Sequence, residues 1–241
     1  MTLLDVSMVS KSFGVKVIDD ISLAVEPGNA VGIVGPNGAG KTTLLNLVAG
    51  DLHPDTGSIT FDGADVTSVR ADQRCRAGIG RTSQIPRPFE AMTVFENALT
   101  AAVFGAGFPV TEREATSIAV DALERSGLLG VANTAAGQLP LLGRKRLELA
   151  RALATSPRIL LLDEIAGGLT DAEVHELVET IKQIHEGGVT IVWIEHIVHA
   201  LLAVVDRIMA MSFGVKIAEG DPHTVMASPE VREVYMGVEP E

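Results

Sequence analysis

The sequence predicts an α/β fold built on a parallel sheet, with an antiparallel β subdomain at the N-terminus and a helical lobe in the middle. Three observations carry this. Ala30–Val34 is a continuous apolar run ending in Gly35, which suits a strand buried on both faces. In the last third, apolar strand-like runs alternate with helical patterns, which implies parallel pairing through right-handed crossovers. Between these stretches, apolar residues recur at helical rather than strand spacing.

Taken in order, Leu3–Ser10, Val15–Ile18 and Ile21–Val25 read as strands, with Asp19-Asp20 and Pro27-Gly28 as turns. Ala30–Val34 follows, then a Gly-rich loop and an apolar helix over Thr43–Ala49. Ser58–Phe61 and Asp62-Gly63 read as a strand and a hairpin turn. A helix spans Thr93–Val103. Thr111 and Glu114 form a capping box, after which Ala115, Ile118, Ala119, Ala122 and Leu123 keep helical spacing until Gly127. Strands return at Ile159–Leu162, Val189–Ile194, Ile208–Ser212 and Val215–Ala218. A helix capped by Thr170 and Glu173 and stopped by Gly187-Gly188 lies between the first two. The whole chain reads as one domain, with a core over 1–86 and 157–241 and the helical lobe over 87–156.

Composition limits what such a chain can do. Its 241 residues suffice for one sizeable core, and 46% hydrophobic with 4% aromatic residues describes Ala/Leu/Val/Ile packing. A net charge of −12 argues against a broad nucleic-acid surface and against adsorption to anionic lipid by charge alone. The lone Cys75 permits neither an intrachain disulfide nor a multi-cysteine zinc site, which fits a reducing compartment. No secretory leader is read at MTLLDV, and no run approaches the roughly 20 apolar residues of a spanning helix. Another subunit is therefore expected to hold the chain at any membrane it serves.

The strongest chemical signal is GPNGAGKT, Gly35 to Thr42, which matches G-x-x-x-x-G-K-[ST] between a buried strand and a helix. Average residue frequencies would produce the pattern by chance on the order of once per hundred chains of this length. The flanking strand and helix lower that further. Glycines let successive amides turn toward phosphate oxygens, and the helix dipole adds to the attraction. Gly35, Asn37, Gly38, Ala39, Gly40, Lys41, Thr42 and Thr43 are thus candidates to hold a nucleotide. Lys41 would reach the β- and γ-phosphates, and the Thr42 hydroxyl would ligate Mg²⁺. The second signal is Ile159-Leu160-Leu161-Leu162-Asp163-Glu164, a buried strand that delivers two carboxylates to the edge where α/β ligands bind. Asp163 is placed to hold Mg²⁺ through water, and Glu164 to polarise an attacking water.

Together these motifs resemble the ATP-binding-cassette (ABC) family, and the resemblance runs from Phe13 to the last strands. It implies a P-loop NTPase core. Gln84, in GRTSQIPRPF, stands where the family places a glutamine that touches Mg²⁺ and the γ-phosphate, on a loop that contacts a transmembrane partner. Gly167, Gly168, Leu169 and Thr170 resemble the family's dimer-contact loop. His196, in IVWIEHIVHAL, occupies its switch-histidine position. Phe13 lies where the family stacks an aromatic ring on adenine, although a phenylalanine packed between two strands is the other reading.

One motif departs from the pattern. Where the family signature is close to LSGGQ, this chain has Leu139-Pro140-Leu141-Leu142-Gly143, before an intact Arg146–Leu153 helix. Pro140 replaces a serine whose hydroxyl bonds the γ-phosphate, and Leu142 a glycine that permits close approach. In the family each signature closes over the ATP of the opposite subunit. The site completed by this signature is therefore expected to be weakened, with Lys145 and Arg146 offsetting part of the loss. A second cassette with an intact signature is the expected partner, in preference to a homodimer.

GRTSQIPRPFEAMTVFEN and GRKRLELARAL are similar to the ATPases of branched-chain amino acid, amide and urea uptake systems. The resemblance implies an ATP- and Mg²⁺-dependent ATPase bound to permease subunits on the cytoplasmic face of the cell membrane, served indirectly by a solute-binding protein. An ATPase for lipid or lipopolysaccharide extraction is the related alternative. A soluble cassette acting on nucleic acid or ribosomes is the alternative of another class. It is disfavoured by the missing coiled-coil insertion, the lone cysteine, the single cassette and the acidic balance.

Overall fold

The computed structural model describes residues 1–236. In chain order its strands are β1 (Leu4–Phe13), β2 (Val15–Val25), β3 (Ala30–Val34), β4 (Thr56–Phe61), β5 (Ala64–Asp65), β6 (Ile79–Arg81), β7 (Ile159–Asp163), β8 (Thr190–Ile194), β9 (Arg207–Ser212) and β10 (Val215–Gly220). Its helices are α1 (Lys41–Ala49), α2 (Ala71–Ala77), α3 (Val94–Gly105), α4 (Glu112–Arg125), α5 (Leu141–Ala154), α6 (Asp171–Glu186), α7 (Val198–Leu202), α8 (Pro222–Ala227) and α9 (Pro229–Met236). They fall into two compact units, one of Met1–Ala71 with the chain from Thr190 onward, the other of Asp72–Val189.

The first unit holds the expected antiparallel subdomain, ordered β2-β1-β4-β5. Leu4 and Val6 face Val25 and Leu23 on one side and Phe61 and Ile59 on the other, so the apolar members of three strands share one buried face. That alternation then slips by one residue in both β1 and β2. Met8 and Asp20 take up the extra residue in left-handed bulges, φ 47 and 49, which return Val9, Ile21 and Ile18 to the buried side. Ser10 stitches the second bulge, its hydroxyl donating to the Asp20 carboxylate at 3.0 Å and accepting from the Asp20 amide at 3.0 Å. The expected turn at Asp19-Asp20 is therefore a bulge inside one continuous strand. The Asp62-Gly63 hairpin is present, with both residues at positive φ.

In the same unit β3 pairs in parallel with β8 and with β9, and its five residues are all buried. β10 returns antiparallel to β9 through Phe213-Gly214, so the sheet is mixed at this edge rather than wholly parallel. A tight hairpin needs two residues; a parallel return would need a crossover of a dozen or more.

In the second unit β6 and β7 pair in parallel, and α3, α4 and α5 pack on one another. Their shared core includes Val94, Ala98, Ala119, Leu123, Leu128, Leu139, Leu147 and Ala150. Each fully buried leucine there contributes roughly 1.5–3 kcal/mol relative to exposure. α3, α4 and α6 open with complete capping boxes, Thr93/Glu96, Thr111/Glu114 and Thr170/Glu173.

Candidate nucleotide site

Two sets of candidate residues lie in the first unit. β3 delivers the loop Gly35–Gly40, and α1 begins at Lys41. A Cβ at Gly35, where φ is +152°, would stand 2.2 Å from the Met211 carbonyl oxygen of β9, so no larger residue fits that turn. The far side of the loop is held by the Phe213-Gly214 hairpin. The Gly214 amide donates to Ala39 O at 3.2 Å, and its carbonyl accepts from the Asp19 amide at 2.9 Å. The Lys41 ammonium is buried and donates to Gly35 O at 2.8 Å and Pro36 O at 3.0 Å, which curls the loop around it. Asn37, Gly38 and Thr42 are exposed, and Thr43 is half-buried.

Ile33 of β3 lies opposite Ile194 of β8, so Gly35 and His196, each two residues further on, leave this parallel pair at the same edge. His196 is exposed there, and its amide donates to the Glu195 carboxylate at 3.1 Å. Phe13 is 54% exposed at the β1–β2 hairpin, with the Lys11 ammonium 5.7 Å from its ring centroid. That exposure rules out the reading of Phe13 as a core residue.

The carboxylates lie in the second unit. Asp163 closes β7, buried, with Oδ2 3.2 Å from Nη2 of Arg81 at the end of β6. Glu164 follows at φ +45°, a left-handed conformation that a non-glycine residue adopts at an energetic cost and that clusters at functional positions. The Gln84 side-chain amide donates to Glu164 Oε2 at 2.5 Å. Arg81, Gln84, Asp163 and Glu164 thus form one group, and Arg81 is the member that sequence reasoning missed. Its position in GRTSQ was in view, but nothing local marks a partner 82 residues away.

The altered signature is also in this unit. Leu139 belongs to the helical core, Pro140 is the N-cap of α5, Leu141 is 41% exposed and Leu142 half-buried, and Gly143 is buried. Arg144 braces the segment, donating from Nε to Leu139 O at 3.0 Å and from Nη2 to Gly137 O at 2.8 Å. Lys145 and Arg146, expected to compensate for the lost serine, are engaged elsewhere. Lys145 is buried against Gln84 O at 2.8 Å, and Arg146 pairs with Glu176 at 3.3 Å. Neither is placed to replace the missing hydroxyl. In the loop that resembles a dimer-contact loop, Gly167 and Gly168 are exposed and Leu169 half-buried, and Thr170 caps α6. A Cβ on Gly168 would stand 3.3 Å from the Leu141 side chain.

Capping separates the helices by role. Of the five helices nine residues or longer among the described residues, three carry a Thr/Glu box at the N-terminus. α1 and α5 have no side-chain cap and no acidic residue in the first turn. Those are the two helix N-termini assigned to phosphate, where a capping carboxylate would repel the ligand. Cys75 is no rival centre, since burial pushes its thiol pKa up and away from the reactive thiolate.

Residues 18–167 match the family model described as ABC transporter, and residues 215–241 match the model described as branched-chain amino acid ATP-binding cassette transporter. The chain is 36% identical to the high-affinity branched-chain amino acid transport ATP-binding protein BraF of Pseudomonas aeruginosa, over 98% of each chain. It is 35% identical to the LivG protein of the same description from Escherichia coli, over 93% of each chain. Among solved structures, an ATP-binding cassette of an ABC transporter in its ADP conformation superposes with a TM-score of 0.89 at 31% identity, covering 99% of this chain and 100% of that one.

Proposed function

The chain belongs to the ABC transporter ATPase family, and from that premise we propose that it is the ATP-hydrolysing subunit of an importer of branched-chain or related hydrophobic amino acids. The observation that carries the solute class is the match of residues 215–241 to the branched-chain amino acid cassette model, a stretch outside the nucleotide motifs.

ATP is the substrate, and each assigned residue has a chemical task. The amides of Gly38, Gly40, Lys41, Thr42 and Thr43 and the Lys41 ammonium bind the β- and γ-phosphates, and Phe13 stacks on adenine. Thr42 in the first unit, and Gln84 and Asp163 in the second, carry hard oxygen donors of the kind Mg²⁺ takes. A bound Mg²⁺ would supply positive charge against the charge that develops on the phosphates. Glu164 accepts a proton from the attacking water, and His196 contacts the γ-phosphate. Catalysis here consists of positioning and charge stabilisation, with no covalent intermediate.

Among the described residues no helix is long and apolar enough to cross a membrane, so permease subunits would hold the chain at the inner face of the cell membrane. The Gln84 loop, with Ile85 exposed and Phe89 about half exposed, is the surface offered to them. The second cassette would carry an intact signature, because Pro140 has no hydroxyl for the partner's ATP. The core over 1–86 and 157–241 and the lobe over 87–156 are the corresponding functional parts. No surface for nucleic acid is assigned, in keeping with the −12 charge.

The test is reconstitution of the tagged chain with the membrane subunits that co-purify with it, and assay of ATPase in liposomes. ATPase that rises when leucine-loaded binding protein is added supports the reading. Hydrolysis indifferent to leucine, isoleucine and valine removes the solute class, and the absence of any co-purifying membrane protein removes the importer.

A further inference from the structure

Residues 82–89 form no helix or strand, yet the backbone is hydrogen-bonded at Thr82, Gln84, Arg87 and Phe89. Three side chains of α5, spaced i, i+3 and i+6, supply three of these bonds. Lys145 donates to Gln84 O at 2.8 Å, Glu148 Oε1 accepts the Arg87 amide at 2.6 Å, and Arg151 donates to Arg87 O at 2.8 Å. Arg151 also pairs with Glu148 at 3.0 Å and lies 5.2 Å from the Phe89 ring centroid. Beyond them, buried Asn97 of α3 accepts from the Phe89 amide at 2.9 Å and donates to Phe89 O at 3.1 Å.

Lys145 and Glu148 are both buried, 4% and 6% exposed. Burying a charge is expensive unless it is paired and hydrogen-bonded, and apolar residues of similar size would serve a plain core better. Here both charges act on the backbone of one short loop, and that loop carries the side chain that meets Glu164. The first of them sits five residues after Pro140, on the helix whose N-terminus is the signature. A rigid helix carries its side chains with it. Any displacement of α5 is therefore imposed on the carbonyl of Gln84 directly.

We propose that Lys145, Glu148 and Arg151 are positioning residues that fix Gln84 to the signature helix, so that Gln84 meets Glu164 only while α5 is in register. The proposal rests on the assignment of Gln84 to the γ-phosphate end of the site. None of the three touches nucleotide in this arrangement; they act through Gln84.

The experiment compares wild type, Lys145→Met, Lys145→Arg, Gln84→Ala and the Lys145→Met/Gln84→Ala double variant in the assembled transporter, reading kcat and KM for ATP. Amide exchange of 84–89 is followed in the isolated chain. Lys145→Met is expected to speed exchange across 84–89, to leave KM within about twofold and to lower kcat about tenfold, the scale of one hydrogen bond to a charged group. Lys145→Arg should restore most of kcat. The double variant should be no slower than Gln84→Ala, because one path is being cut twice. Losses that multiply, or wild-type kcat in Lys145→Met, overturn the proposal while leaving Gln84 its role. Wild-type kcat in Gln84→Ala overturns the role of Gln84 and the proposal with it. Arg151→Ala, at a partly exposed side chain, repeats the test without opening a buried cavity, and is expected to show a smaller kcat loss that also vanishes in the Gln84→Ala background.

Discussion

Gln84 and Glu164 are joined by a hydrogen bond of 2.5 Å from the glutamine Nε2 to the carboxylate Oε2, across 80 residues of sequence. The contact holds the carboxylate assigned to water activation in place before any substrate arrives. Glu164 is left-handed and lies just past the end of β7, while Asp163 is the last residue of the strand and pairs with Arg81.

Glu164→Gln follows from this pair. The amide keeps an oxygen that can still accept from Gln84, so the local structure survives and nucleotide affinity should stay within about twofold. It cannot take a proton from water at neutral pH, and turnover should fall by about 10²–10⁴. Fluorescent-nucleotide titration beside a phosphate-release assay separates the two. Wild-type turnover in the variant would remove Glu164 from its assigned role.

Lys41→Ala should act on binding instead. The buried ammonium now holds two loop carbonyls, and would exchange them for phosphate oxygens. Losing it removes a charge-assisted contact worth about 1.5–3 kcal/mol, or roughly ten- to hundredfold in Kd. Lys41→Met keeps the aliphatic stem, so an equal loss in both variants assigns the effect to charge. Recovery of affinity in the methionine variant would assign it to packing.

How much of this was legible in sequence follows a physical rule. Features with a local signature were readable: the Ala30–Val34 strand, the Thr111/Glu114 and Thr170/Glu173 boxes and the Asp62-Gly63 hairpin each declare themselves within eight residues. Elements too short to show a period were not, and α2, β6 and α7–α9 passed unread. The Asp19-Asp20 misreading has the same root, since a bulge breaks alternation as a turn does, and only the partner strand reveals which it is. In the site, motif residues were named because the phosphate chemistry constrains adjacent positions. Arg81, Glu148 and Arg151 were not, and Lys145 was named for the signature rather than for Gln84, because each depends on a partner 61 to 82 residues away that leaves no mark beside it.

Acid should loosen the capped helices before the rest. Hydrogen bonds from the capping threonine, its backbone amide first and its hydroxyl second, hold the carboxyls of Glu96, Glu114 and Glu173 below their ordinary 4.5. A carboxyl whose folded pKa is lowered contributes stability above its unfolded value, and that contribution is lost as pH falls through the folded pKa. The loss therefore sets in below about pH 4.5, and replacing the glutamates by glutamine should flatten the acid limb of a helicity titration. Thr111→Ala at pH 7 should lower the melting midpoint by about 2–4 °C. A glutamine-substituted chain with an unchanged acid limb would show that the boxes do not set it.

The dimer partner can be tested with the same Glu164→Gln chain, since a cassette that binds ATP without hydrolysing it accumulates the closed form. Closure needs each signature to cap the other subunit's γ-phosphate. Here the α5 N-terminus offers backbone amides and a dipole but no hydroxyl, with Pro140 as N-cap and the Leu141 side chain standing out beside Gly168. In a homodimer both sites carry this deficit; in a heterodimer only the partner's ATP meets it. Light scattering after gel filtration should therefore find Glu164→Gln monomeric with Mg-ATP bound, and dimeric only when a cassette with an intact signature is added. An ATP-driven dimer of this chain alone would mean that amides and dipole suffice to close over phosphate, and the engine would then be two copies of the same chain.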